Sequence, residues 1–188
     1  MALRPQLTVT ISPSWGVRSP ADIERVSIRH FRNHPRDRLA YRSMIIKVLR
    51  AGDEATLGSV GPDVFDHPLD PRSTEEFLAD PRHHLVVAMD EGIVVGFASA
   101  VHYIHPDKPS PELWINEVGV ASTHRGRGVG KAILQSMLNV GRELGCVEAW
   151  VLTQRGNAAA MRLYASIGGI LGTSDDVMFT FAIRGSGP

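Results

Sequence analysis

The segment Glu117-Val-Gly-Val-Ala-Ser-Thr-His-Arg-Gly-Arg-Gly-Val-Gly130 constrains this chain more than any other. It reads as a short strand, a turn, and three glycines opening a helix. The apolar residues Ile133, Leu134, Met137, Leu138 and Leu144 follow at helical spacing. A strand–turn–helix junction of this kind presents backbone N–H groups at a helix start, where the helix dipole and the open amides favour phosphate. Arg125 and Arg127 lie in the same turn. The segment suits a diphosphate.

The chain of 188 residues is long enough for one domain with its own core. Its single cysteine, Cys146, excludes an intrachain disulfide. No continuous apolar run is long enough to span a bilayer, and the N-terminus lacks the basic-then-apolar pattern of a secretory signal. A soluble cytoplasmic protein is expected. The formal net charge is zero but unevenly spread. Residues 1–43 carry eight arginines against three acids, residues 44–112 five basic groups against twelve acidic, and residues 113–188 seven against five. An anionic ligand suits the last third and a cationic one the middle. The basic leader contains no nucleic-acid-binding motif, so no nucleic-acid partner is expected.

Residues 1–43, punctuated by Pro5, Pro13, Pro20 and Pro35, read as a basic N-terminal extension, either partly disordered or packed on the core. Within it, residues 21–32 fit a short helix. The compact domain is expected over 44–188, entered through a strand at 41–49. The pattern predicts a helix over 51–60, a loop bearing Asp63, Asp66, His67 and Asp70, and a second helix over 73–79. A hairpin follows, with strands at 84–89 and 93–101 around Asp90-Glu91-Gly92. Further strands are predicted at 112–120, 148–153 and 177–183, with helices at 128–144 and 158–167. This order fits an α/β (α+β) domain: a mixed, mostly antiparallel sheet of six to seven strands flanked by helices.

The glycines at 126, 128 and 130 miss the Gly-x-Gly-x-x-Gly spacing of a dinucleotide fold, and the Lys-Ser/Thr ending of a P-loop is absent. Arg125-Gly126-Arg127-Gly128-Val129-Gly130 instead resembles the acyl-CoA signature Gln/Arg-x-x-Gly-x-Gly/Ala of the GCN5-related N-acetyltransferase (GNAT) superfamily. The surroundings match as well: Val118-Gly119-Val120 before the signature, then Asn157, Leu163-Tyr164 and Gly168-Gly169 after it. The second glycine of that last pair stands where family members often carry Phe. The resemblance covers roughly residues 44–183. Within the superfamily the chain is most similar to the aminoglycoside 3-N-acetyltransferase type. The shared features are the Asp-rich region after the first helix, the Val94-Val95-Gly96 strand, and Ile115-Asn116-Glu117-Val118-Gly119-Val120 leading to His124-Arg125. In that type the carboxylate at position 117 is typically Asp; here it is one methylene longer.

The resemblance implies acetyl-CoA as cosubstrate and splayed central strands that admit its pantetheine arm. It implies cofactor contacts from Val118, Gly119, Val120, Arg125, Gly126, Arg127, Gly128, Val129, Gly130, Lys131, Asn157 and Tyr164. Chemistry adds roles. An amine with a pKa of about 10.4 must lose a proton before it attacks a thioester, and Glu117 is placed to take it directly or through one water. The Val118 N–H is the candidate donor to the developing oxyanion. Tyr164 is the candidate acid for the departing thiol, and Asn157 is an N-cap, a pantetheine contact, or both. Cys146 has no visible base partner, which favours direct transfer in a ternary complex. His83-His84 and His102-x-x-His105 form no complete ligand set, so no metal is expected.

The acids Asp63, Asp66, Asp107, Glu112, Asp175 and Asp176, with Glu117, are the candidate acceptor-binding groups; around one cleft they would attract a polycationic amine. Acetylation of an aminoglycoside at its 3-amino group, conferring antibiotic resistance, is the preferred expectation. The alternatives are another small polyamine or a peptide amine, and a non-catalytic acyl-CoA-binding module. The resemblance also implies a homodimer joined through the final strands. No membrane partner is expected.

Overall fold

The computed structural model describes residues 23–29, 41–173, 175, 177–181 and 183. Six strands form one sheet in the order β1-β2-β3-β4-β5-β6. They are β1 (Ile23–Arg29), β2 (Tyr41–Leu49), β3 (His83–Asp90), β4 (Ile93–Tyr103), β5 (Glu112–Val120) and β6 (Glu148–Val151). The first five run antiparallel to their neighbours, while β5 and β6 are parallel and joined through a helix. Three α-helices complete the fold: α1 (Pro71–Ala79), α2 (Val129–Glu143) and α3 (Ala158–Ser166). The mixed, mostly antiparallel sheet predicted from sequence is therefore present. Among the described residues, no helix is long and apolar enough to cross a membrane.

Alternation sorts the sheet into two faces. Val86, Ala88, Ala98, Ala100 and Leu113 lie under α2, whose Ile133, Leu134 and Met137 are fully buried. Gly141 brings that helix close to β5, since a Cβ there would stand 3.1 Å from Leu113 Cδ2. The helix stops in a Schellman-type turn, with Gly145 at φ +75° and the Cys146 N–H donating to Gly141 O at 2.9 Å. Among the described residues, the other face is covered by α1 and the preceding loop. Asp70 caps α1: its Oδ1 accepts the Ser73 N–H at 2.8 Å.

Three local expectations are corrected. Of the helix predicted over 21–32, the described residues Ile23–Arg29 are instead a strand that pairs with β2 over seven residues. Three β-branched residues in seven favour the extended backbone, and an available sheet edge decides the matter. The helix predicted over 51–60 shrinks to a 3-10 turn at Glu54–Gly58. Gly52 at φ +93° blocks its start, and Val60 leaves to form a parallel bridge with Val94. Of the strand predicted at 177–183, the described residues 177–181 and 183 are not in a ladder. Alternation alone makes no strand without a partner to hydrogen-bond.

One irregularity positions the site. The β4–β5 register steps from Ser99↔Glu117 to Ala100↔Ile115, so Asn116 is an extra residue on β5. Leu113 and Ile115 face α2; without the bulge Glu117 would join them. With it, Glu117 and Gly119 turn to the opposite face. There the backbone of residue 64 comes so near that a Cβ on Gly119 would lie 2.3 Å from Val64 O and 2.5 Å from Phe97 Cε1. Gly119→Ala is expected to lower stability by roughly 1–3 kcal/mol through overpacking, read as a reduced melting temperature.

Candidate active site

Among the described residues, no strand pairs with β5 beyond Ile115 on the side towards β6. The parallel ladder pairs Glu112–Ile115 with Glu148–Val151 and ends there, as β6 itself ends. Residues 116–120 therefore keep β4 on one side and lose β6 on the other. The Ala121 N–H donates to Val95 O at 2.9 Å, so alternation sends the Val118 and Val120 N–H groups away from β4 and into the gap. Their side chains pack towards the helices: both contact the core, and Val120 Cγ2 lies 3.7 Å from a Cβ built on Gly130.

The turn after β5 carries the glycines. Gly126 and Gly128 adopt φ +73° and +87°, which only glycine takes without strain, and a Cβ on either would meet no atom within 4 Å. Gly128 is the N-cap of α2 and no side chain caps the helix there. The first N–H groups of a helix have no intrahelical acceptor, so the amides of Val129, Gly130 and Lys131 face the turn. The Val129 side chain is buried, leaving its amide as its contribution. Gly130 has another purpose: a Cβ would stand 3.1 Å from Leu163 Cδ2, so glycine lets α3 approach α2. An open, left-handed turn over uncapped amides fits a diphosphate, and the strand gap beside it fits an extended amide-bearing arm.

Arg125 is already engaged. Its Nε donates to Val120 O at 2.9 Å, and its Nη2 lies 3.7 Å from Asp63 Oδ2. Asp63 Oδ2 also accepts the Ser122 N–H at 3.0 Å. His124 Nε2 stands 3.2 Å from Asp90 Oδ2.

Glu117 opens into a cavity of about 490 Å³ on the face away from α2. Phe65, Asp66, His67, Phe77, Phe97 and Ser99 are among its walls, and Phe65 stacks on Phe97 at 3.9 Å. Desolvation, followed by the nearby Asp66 carboxylate, raises the Glu117 pKa above its ordinary 4.5, while His67 opposes the shift. Tyr164, on α3, packs against the core, and burial raises its pKa above 10.0, which keeps the phenol protonated at neutral pH. Asn157 caps α3, its Oδ1 accepting the Ala160 N–H at 3.1 Å.

The predicted acids are not gathered into one cleft. Asp66 joins Glu117 in the cavity, with Asp70 on its rim. Asp63 points to the glycine turn, towards Ser122 and Arg125. Glu112 is buried at the other end of β5, held by Lys108 and Tyr103, which lower its pKa. Asp107 is exposed in the loop before it. Asp175 is exposed beyond α3, and Asp176 lies outside the described residues. The histidines weighed as ligands are otherwise employed: His84 Nε2 and His102 Nδ1 share a hydrogen bond at 2.8 Å, and burial drives His84 down to about 4. Among the described residues, no group of three or more His, Cys, Asp or Glu side chains is placed to hold a metal ion. Sequence reasoning missed His67, Phe65 and Phe97 as cavity walls; their only sequence signal is a loop between two elements and an alternating strand.

The chain is similar to known proteins in both sequence and fold. It is 34% identical over 105 residues to the N-alpha-acetyltransferase RimI of Mycobacterium tuberculosis, covering 56% of this chain and 63% of that one. The chain thus spans less than two thirds of the length of the curated relatives it matches. In structure it resembles an aminoglycoside acetyltransferase from an uncultured soil metagenomic sample, solved with trehalose. The TM-score is 0.64 at 18% identity, over 75% of this chain and 97% of that one. It also resembles the aminoglycoside N-acetyltransferase AAC(6')-Iy in complex with CoA, at a TM-score of 0.61 and 22% identity over 80% and 99% of the two chains. The pattern of the Acetyltransferase (GNAT) family matches residues 54–168, from the 3-10 turn through the strand gap and glycine turn to the end of α3. With more than half its length so matched, the chain belongs to the acetyltransferase (GNAT) family.

Proposed function

We propose that this protein is an acetyl-CoA-dependent N-acetyltransferase that transfers directly to a small polycationic amine in a ternary complex. One observation carries the reading: the bulge at Asn116 sets the Glu117 carboxylate in a cavity on one side of β5 while the next residue, Val118, offers its N–H to the strand gap. A base and an oxyanion donor thus sit on consecutive residues.

Acetyl-CoA, when bound, supplies an acetyl thioester whose carbonyl carbon accepts the amine nitrogen as the thiol leaves. The amides of Gly126 to Lys131 receive the diphosphate, with help from the Arg125 and Arg127 side chains, and the Val118 and Val120 backbone pairs with the pantetheine arm. Glu117 takes the proton from the acceptor ammonium. Its raised pKa, caused first by desolvation and then by the Asp66 carboxylate, makes it a stronger base than an ordinary carboxylate. The Val118 N–H bears the charge developing on the acyl oxygen, and Tyr164 returns a proton to the sulfur. Cys146 sits in the turn after α2 and burial raises its thiol pKa, which disfavours an acetyl-cysteine route.

The acceptor carries several ammonium groups, matched by Asp66 and Glu117; an aminoglycoside acetylated at its 3-amino group is the preferred case. A peptide α-amine is a second reading, favoured by the identity with an N-alpha-acetyltransferase. Homodimerisation through the C-terminal segment belongs to the same proposal: Val177, Phe179 and Phe181 are each at least 77% exposed and a second copy would cover them.

A thiol-release assay with acetyl-CoA against aminoglycosides, polyamines and peptide α-amines is expected to show turnover with the first class. Turnover confined to peptides selects the second reading, and none with any amine rejects catalysis. For Glu117→Gln, kcat/KM is expected to fall by about 100-fold or more. In the wild type the rate declines as acid protonates Glu117, so the acid limb should lie above pH 4.5 and disappear in the Gln variant. Gly128→Val should weaken acetyl-CoA by about 10-fold or more in calorimetry, through strain at positive φ and obstruction of the turn.

A further inference from the structure

The loop before α1 serves two places at once. At one end, Asp63 adopts φ +53° and directs its carboxylate across 59 residues of sequence to the Ser122 N–H. The same oxygen lies 3.7 Å from Arg125 Nη2. At the other end, Asp66 and His67 are walls of the Glu117 cavity. The two residues between are fixed. Val64 is 4% exposed and its carbonyl fills the space that Gly119 leaves by lacking a Cβ, while Phe65 stacks on Phe97. Residues 63–67 therefore form a short rigid link from the phosphate turn to the acceptor cavity.

From this we infer that Asp63 is a positioning residue that couples engagement of a diphosphate at the 125–130 turn to the shape of the acceptor cavity. The inference rests on the acetyl-CoA reading above. The Asp63–Arg125 pair is exposed and loosely spaced, the kind that contributes little by itself. A diphosphate offers Arg125 a more highly charged, fork-shaped partner. Asp63 then retains the Ser122 N–H, the point where β5 turns towards the glycines. A ligand that fixes the turn thereby fixes Ser122, Asp63 and, through Val64 and Phe65, the cavity wall. Coupling of this form is reciprocal: an acceptor amine held by Asp66 and Glu117 strengthens the hold on the carrier. The left-handed backbone of Asp63 suits Asp, Asn and Gly, so the carboxylate can be changed with little backbone strain.

Hydrogen exchange with CoA as the probe tests the link without knowledge of the acceptor. In the wild type, CoA is expected to slow amide exchange over 118–131 directly and over 61–69 by transmission, the latter by about 5-fold or more. Asp63→Gly should keep the first effect and lose the second. Asp63→Asn, which retains an oxygen for the Ser122 N–H, should restore it. A purely structural residue would change exchange with and without CoA alike. If CoA protects 118–131 and leaves 61–69 unchanged in the wild type, the coupling is wrong whether or not the Gly variant folds. If protection of 61–69 persists in Asp63→Gly, Asp63 is not the link. If CoA protects neither region, the acetyl-CoA reading fails and the coupling falls with it.

Discussion

A single unmatched residue organises the site. Asn116 has no partner on β4, and everything C-terminal to it on β5 is rotated by one side chain relative to what precedes it. The buried half of the strand, Leu113 and Ile115, belongs to the core under α2. The other half belongs to the site: Glu117 and Gly119 face the cavity, and Val118 and Val120 face the helices. A regular strand would bury the carboxylate under α2, where an unpaired charge costs far more than a turn of strand geometry. The ladder to β6 ends at the same point, so re-aiming of side chains and release of backbone amides coincide.

The glycines divide by purpose. Gly126 and Gly128 are needed for their backbone angles, with nothing crowding them. Gly119, Gly130 and Gly141 are needed for what comes near them: a carbonyl of the loop before α1, a leucine of α3, and a leucine of β5. The first kind shapes a binding surface and the second holds the surrounding layers at close range. Four of these five fall between Glu117 and Gly130, which explains why that segment dominates the sequence.

What could be read from the sequence was local. The strand, the glycine turn and the helix after it announce themselves through spacing, and β3 and β4 through a Gly-containing turn between β-rich runs. Glu117, Tyr164 and Asn157 are singled out by the sequence because each sits at a fixed distance from those landmarks. The bulge was not legible: it is defined by the register against β4, and nothing in Ile115-Asn116-Glu117 states that register. The acids misled for the same reason. Asp63 and Asp66 are three residues apart, yet one accepts the Ser122 N–H ahead of the glycine turn and the other lines the cavity. Glu112 shares a strand with Glu117 but is consumed by Lys108 and Tyr103. The edge strand β1 and the unpaired apolar segment from Val177 depended on whether a neighbouring strand was available, which composition does not record.

Residues 116–120 make half of a ladder. Their outward row of backbone groups has no ladder partner among the described residues, while β4 holds the strand in place on its other side. Any extended molecule that supplies that row adds its own bonds to the folding free energy of the protein, in proportion to the logarithm of its concentration. A ligand seated along that row would therefore raise the melting temperature of the protein as its own concentration rises.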